Sequence, residues 1–155
     1  MLNIVLVNPE IAPNTGNIAR LCVCNGLRLH LVHPLGFQIT DRNLKRAGMD
    51  YWKHLDLVEH ADLDAWIASL APDARLHFLS TKADKAHWDA SFLPGDHLVF
   101  GAESCGLPER LRTSGRGEWI TIPMTGGYVR SLNISSSVAI ATYEALRQCR
   151  QGASS

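Results

Sequence analysis

The chain has no run of about 18 continuous apolar residues, so no segment reads as a membrane span. It has no excess of either charge: 15 Lys and Arg balance 15 Asp and Glu. That excludes a broad basic surface for nucleic acid, though not a local patch. The 4 cysteines and 7 histidines form no C-x-x-C, H-x-x-x-H or H-E-x-x-H. No metal role is assigned to any of them. Cys22 and Cys24 make a C-x-C, and with Cys105 and Cys149 they read as free buried thiols of a reducing cytoplasm. Neither G-x-G-x-x-G nor G-x-x-x-x-G-K-[ST] occurs, which removes the dinucleotide fingerprint and the P-loop. The opening "MLNIVLVNPE" has no basic region and no cleavage signal, and it reads as a first strand.

What is present is a chain of 155 residues, 46% hydrophobic, the size of one domain. Residues 1–150 read as that domain and 151–155, "QGASS", as a disordered tail. "LNIVLVN", "RLHLVHP", "HLDLVEH", "RLHFLST", "HLVFGAE" and "EWITIPM" are six strand candidates. Between them, "NTGNIARLCVCNG" places Ile18, Leu21, Cys22 and Asn25 on one helical face before Gly26, a residue suited to a helix end. "ADLDAWIASL" repeats Leu63, Trp66, Ile67 and Leu70 at helical spacing. "TDRNLKRAG" is a short polar helix candidate. A last helix runs from about Ser131 to Cys149. Strands alternating with helices predict an α/β fold: a mainly parallel six-stranded sheet with helices on both faces.

Ligands of such sheets bind beyond the carboxyl ends of the strands. Three segments fall there. In "PEIAPNTGNIAR", Asn14, Thr15 and Gly16 open a helix whose free N–H groups attract anions, and Arg20 follows. In "LVFGAESCGLP", Gly101 follows a strand where a side chain would block a ligand, and Glu103 either bonds a ligand or caps the next helix. In "IPMTGGYVRSLNISSSVAIATYEALRQ", Gly126 and Gly127 permit a chain reversal, Ser131 is a natural N-cap and Asn133 enters the first turn. Ile134, Val138, Ala141 and Ala145 make a small apolar stripe, either core or dimer interface.

These three segments, in this order and over nearly the whole chain, resemble the three motifs of the SpoU branch of the SPOUT superfamily of RNA methyltransferases. The short length, "RAGMDYW" and "STK" look most like members that methylate the ribose 2'-oxygen of the tRNA wobble nucleotide, cytidine or uridine at position 34. Leucine tRNAs are the expected substrates. The resemblance implies a C-terminal deep trefoil knot, S-adenosylmethionine bound within it without metal, and a cytoplasmic homodimer. It also implies site residues. Leu79, Gly101, Ile122 and the backbone around Ser131 would touch the cofactor, with Met124 and Leu132 flanking it. Asn14, Arg20, Glu103, Ser131 and Asn133 match the polar catalytic positions.

The family pattern nominates Arg20 as the base. Arginine normally stays protonated, so the alternative is a charged Arg20 that anchors phosphate and stabilises the developing alkoxide. Arg42, Lys45, Arg46, Lys82 and Arg130 are candidates for a local RNA patch. Tyr51 and Trp52 either stack on bases or belong to the core. Two other readings are a 2'-O-methyltransferase for another RNA and a non-catalytic RNA-binding relative.

Overall fold

A computed structural model describes residues 1–40, 42–43 and 50–152. The elements are β1 (Asn3–Val7), α1 (Ala12–Asn25), β2 (Arg28–Val32), β3 (Asp56–His60), α2 (Leu63–Ser69), β4 (Leu76–Leu79), β5 (Lys85–Ala86), β6 (His97–Phe100), α3 (Glu109–Thr113), β7 (Glu118–Thr121) and α4 (Ile134–Gly152). The strands form one sheet in the order β3-β2-β1-β6-β4-β7-β5. Every pairing in it is parallel. The six expected strands are all there. The seventh, β5, corrects the count: two residues, Lys and Ala, are too short to show any alternation.

Both faces of the central strands are covered, which is why they read as continuous apolar runs. Ile4, Leu6, Leu29, Leu31, Leu98 and Phe100 pack under α1 and α4. Val5, Val7, Val32, Phe78 and Val99 pack on the other face with Trp66 of α2 and Leu111 of α3. The small stripe of α4 resolves as core, since Val138, Ala141 and Ala145 are fully buried in the first of these clusters. Small side chains there let α4 approach α1 and the sheet closely. Of the cysteines, Cys22 is buried and Cys149 half-buried, but Cys24 and Cys105 are exposed.

Two helix ends set the site. Helix α1 begins at Ala12 with Pro13 in its first turn, where a missing N–H costs little. It ends at Gly26 in the left-handed conformation, φ 61°, where Leu27 N–H closes on the Cys22 carbonyl at 2.9 Å. Helix α4 is capped by Asn133, not Ser131. Asn133 Oδ1 accepts from Ser135 N–H at 2.9 Å, and its carbonyl accepts from Ser137 N–H at 3.0 Å. The helix also takes in Gln151 and Gly152. Lys45 and Arg46 lie outside the described residues.

At the β2–β3 side of the sheet, Asn3 donates to the Gly95 carbonyl, so its Oδ1 is free to accept from His30 Nε2 at 3.2 Å. His30 Nδ1 then accepts from His60 Nε2 at 3.0 Å. Burial, with His60, His97 and Arg28 nearby and Asp56 opposing them, pushes the pKa of His30 down to about 4. Burial lowers that of His60 as well.

Candidate active site

In this order, β1 lies between β2 on one side and β6 on the other. The connection after β1 leads to β2 on one side and the connection after β6 leads to β7 on the other, so a crevice opens between the carboxyl ends of β1 and β6. The ends of β4 and β7 lie alongside. A cavity of about 540 Å³ occupies this place. Its wall includes Leu79 at the end of β4, Gly101 and Glu103 after β6, and Ile122 and Met124 after β7. Asn14 of α1 and Ser131, Leu132 and Asn133 before α4 complete it. Nine of the ten expected positions therefore meet at one cavity. Arg20 does not: it is exposed on α1 and is absent from the wall.

Hydrogen bonds lock one half of the cavity. Asn8 turns the chain out of β1 in the left-handed region, φ 52°, a conformation asparagine tolerates. Its amide donates to the Pro34 carbonyl at 3.2 Å. The chain then meets Glu103, whose carboxylate accepts from Glu10 N–H at 2.8 Å and Ile11 N–H at 3.2 Å. It also accepts from Asn14 Nδ2 at 3.3 Å. In return Glu10 accepts from Ser104, through the hydroxyl at 2.5 Å and the N–H at 3.2 Å. Asn133 Nδ2 donates to Asn14 Oδ1 at 3.0 Å. Glu103 thus holds the entrance of α1. The sequence offered it either as a ligand partner or as the cap of the helix that follows; the second role is not filled, since Pro108 precedes α3 and no side chain caps it.

Gly101 is required for a different reason from the one the sequence suggested. A Cβ there would stand 2.1 Å from the Gly106 carbonyl carbon and 2.2 Å from Leu107 N. The collision is with the chain itself, which folds back so that Ala102 and Gly106 exchange two backbone hydrogen bonds. The Gly126–Gly127 pair is the reverse case. Neither has a positive φ, and neither has a neighbour that a Cβ would strike.

The other half of the cavity is bounded by the segment from 123 to 132. All of it is exposed, including Tyr128, Val129 and Arg130. Among the described residues no hydrogen bond or ion pair holds it. Lys82, Arg112 and Arg130 bring positive charge to the cavity rim. Arg112 also lies over the Trp119 ring, 5.0 Å from its centroid. Sequence reasoning missed Glu10, Ser104, Arg112 and Trp119. A single carboxylate in a loop, or one arginine on a short helix, carries no spacing signal.

A parallel α/β sheet with a cavity of this volume at its switch point defines a small-ligand-binding protein of the doubly wound class. The chain belongs to the SpoU rRNA Methylase family, whose model matches residues 1–143. It is 49% identical over 154 residues to a tRNA (cytidine(34)-2'-O)-methyltransferase of Saccharophagus degradans, covering 96% of each chain. The enzyme of the same name from Burkholderia ambifaria is 45% identical over 150 residues, again with 96% of each chain covered. Among solved structures, one concerned with 2-OH methylation of C/U34 on tRNA superposes with a TM-score of 0.89 at 45% identity. That match covers 96% of this chain and 95% of the other.

Proposed function

We propose that this protein is a tRNA 2'-O-methyltransferase acting on the ribose of nucleotide 34, with cytidine or uridine as the base. The observation that carries this is likeness from end to end, at 45–49% identity, to enzymes named for that reaction. The cavity is consistent with it. A volume of about 540 Å³ suits S-adenosylmethionine, and the wall mixes apolar side chains with strand-end backbone and polar groups. When bound, that cofactor supplies a methyl group on a sulfonium that departs as a neutral thioether. Leu79, Gly101, Ile122 and the backbone near Ser131 would hold it, with Met124 and Leu132 against its flat or aliphatic parts.

The remaining work falls to side chains. Asn14 and Asn133 are fixed to each other, and the second N–H of each side-chain amide serves the ribose. Ser131 stands beside them. Glu103 positions Asn14 and the start of α1. Arginine stays protonated in proteins, so we assign Arg20 the anchoring of the adjacent phosphate and the stabilisation of the developing alkoxide, with the hydroxyl proton passing to solvent water. Because Arg20 lies off the cavity of its own chain, it serves the cavity of a partner in a homodimer. The exposed Ile140 and Tyr143 of α4 belong to that interface. The reading includes a single domain over residues 1–150, a deep trefoil knot where the 122–133 segment passes into α4, and a cytoplasmic location.

The test is to incubate the protein with labelled S-adenosylmethionine and total tRNA, then map the label by mass spectrometry. Label on the ribose of nucleotide 34 is expected. Label on another RNA position supports the broader methyltransferase reading. Cofactor binding without transfer to any RNA supports the non-catalytic one.

A further inference from the structure

A second cavity lies on the other side of the α1 entrance. Its volume is about 250 Å³, below the 300–1,000 Å³ usual for whole ligands, so it suits one ring system. Its walls are the rings of Phe37, Tyr51 and Trp52 with Thr15 on α1, and the amides of Gln38 and Asn43 stand at its edge. Tyr51 is fixed in place, its hydroxyl donating to the Gly16 carbonyl at 2.8 Å. Thr15 is 1% exposed, yet its hydroxyl has no hydrogen-bond partner among the described residues. A buried hydroxyl left unpaired is costly unless something else supplies the partner. Arg20 follows Gly16 by four residues in α1 and so lies one turn along the same face. The cavity, which includes Gly16 and Tyr51, therefore shares that side of α1 with Arg20.

We infer that this second cavity receives the base of the nucleotide being methylated, an assignment that rests on the reading of the chain as an RNA ribose methyltransferase. The argument is one of chemistry and reach. Aromatic walls stack on a base face, and amides with a free hydroxyl match the polar edge of a base. A base is joined directly to its ribose. A base seated beside Arg20 brings its own sugar and phosphate to the residue assigned to them. Tyr51 and Trp52 are then both core and site. One edge of each ring packs on the main cluster, and the rest lines the cavity.

The shared chemistry of a flat heterocycle has two sources, the RNA base and the adenine of the cofactor, and the experiment separates them. Anticodon stem-loop RNAs are prepared with a normal or an abasic nucleotide 34. Binding of each is measured for the wild-type protein, Phe37→Ala and Thr15→Val. Phe37 is half-buried and lies outside the main core cluster, and Thr15→Val keeps shape while removing the hydroxyl. Cofactor affinity is measured by calorimetry in parallel. For wild type, the abasic RNA should bind about tenfold more weakly, the scale of one base–aromatic stack. Phe37→Ala should lose a similar factor, and Thr15→Val about fivefold, with normal RNA. Neither should lose anything further with abasic RNA, and cofactor affinity should not move. Losses that multiply with the abasic loss, or a fall in cofactor affinity, overturn the assignment. Should Phe37→Ala fail to fold, Thr15→Val decides alone. Methyl transfer to nucleotide 34 with multiplying losses sinks only this inference. Absence of transfer to any RNA sinks the functional reading instead.

Discussion

The two halves of the main cavity are built on opposite plans. On one side, residues 8–14 and 101–106 are bound to each other by Glu103, Glu10 and Ser104, and a backbone pair closes the second segment on itself. On the other, residues 123–132, with two glycines, Met124, Tyr128 and Leu132, are exposed and have no hydrogen bond or ion pair among the described residues. The locked half resembles a preorganised receptor, its geometry set before any ligand arrives. The open half has the composition of a surface that is finished by something else: cofactor, RNA or a second subunit. A substitution should therefore damage stability in the first half and binding or transfer in the second.

The sharpest break concerns Arg20, which belongs to neither half of its own cavity. Arg20→Ala should lose methyl transfer by at least about 10²-fold while cofactor binding persists, since a misplaced reactant costs that much. Leu132→Arg, at a position 38% exposed on the cavity wall, should block cofactor binding without entering the core. If the two variants are mixed and their subunits exchange, about half the dimers carry both. Each of these has one site with both defects and one with none, so about a quarter of wild-type activity should return. Silence in a mixture whose exchange is confirmed by mass spectrometry removes the shared site.

Within the locked half, Gly101→Ala should be the most destabilising change, by about 3 kcal/mol in denaturant unfolding, because its Cβ strikes backbone that cannot yield. Stability within error of wild type would show that the loop relaxes and is not the rigid element described. Glu103→Ala should come next, at about 2 kcal/mol, since it strands the Glu10 and Ile11 N–H groups. An unchanged midpoint would mean that water replaces the carboxylate without loss.

The histidine pair at the far side of the sheet offers a control outside both halves. His30 is neutral in the folded chain, with a pKa of about 4 against an ordinary 6.5. The unfolded chain takes up a proton at that position below pH 6.5 and the folded chain does not. Stability should therefore be intact above pH 6.5 and fall as pH drops toward 4. His30→Gln should flatten that part of the melting-temperature profile. A profile identical to wild type would exclude His30 as the cause.

The smallest effect on stability belongs to the open half. Tyr128→Ala should move unfolding by no more than about 0.5 kcal/mol, because the ring touches nothing it would lose. Its effect should appear in RNA affinity or dimerisation instead. A large loss of stability in the monomeric state would contradict the contrast between the halves.

Most of the sheet was readable because periodicity records burial, and six of the seven strands are buried on at least one face. β5 pairs two residues at an edge and leaves no such record. Position in the three motifs was enough to collect eight cavity residues, and the strand end at Leu79 added a ninth. The causes were less readable. Gly101 is forced by Gly106 and Leu107, and Glu103 bonds across some ninety residues of sequence, neither visible in a local window. Ser131 and Asn133 are both competent caps, and only the path of the chain into α4 chooses between them. Arg20 was legible in hindsight. Six residues beyond Asn14 at 3.6 per turn, it sits about 120° around the helix and faces elsewhere.

The strand order also has a consequence for how the chain comes into being. β1 is central, with β2 on one side and β6 on the other, and its Asn3 pairs with His97. During synthesis β2 follows within seconds. The second edge of β1, an apolar template open to any passing strand, waits for β6. At roughly 5–20 residues per second, that wait lasts about 5–20 s. Nascent chains of this protein should thus call for protection by chaperones over that interval, and slowing translation upstream of β6 should raise the aggregated fraction even though the finished protein is unchanged.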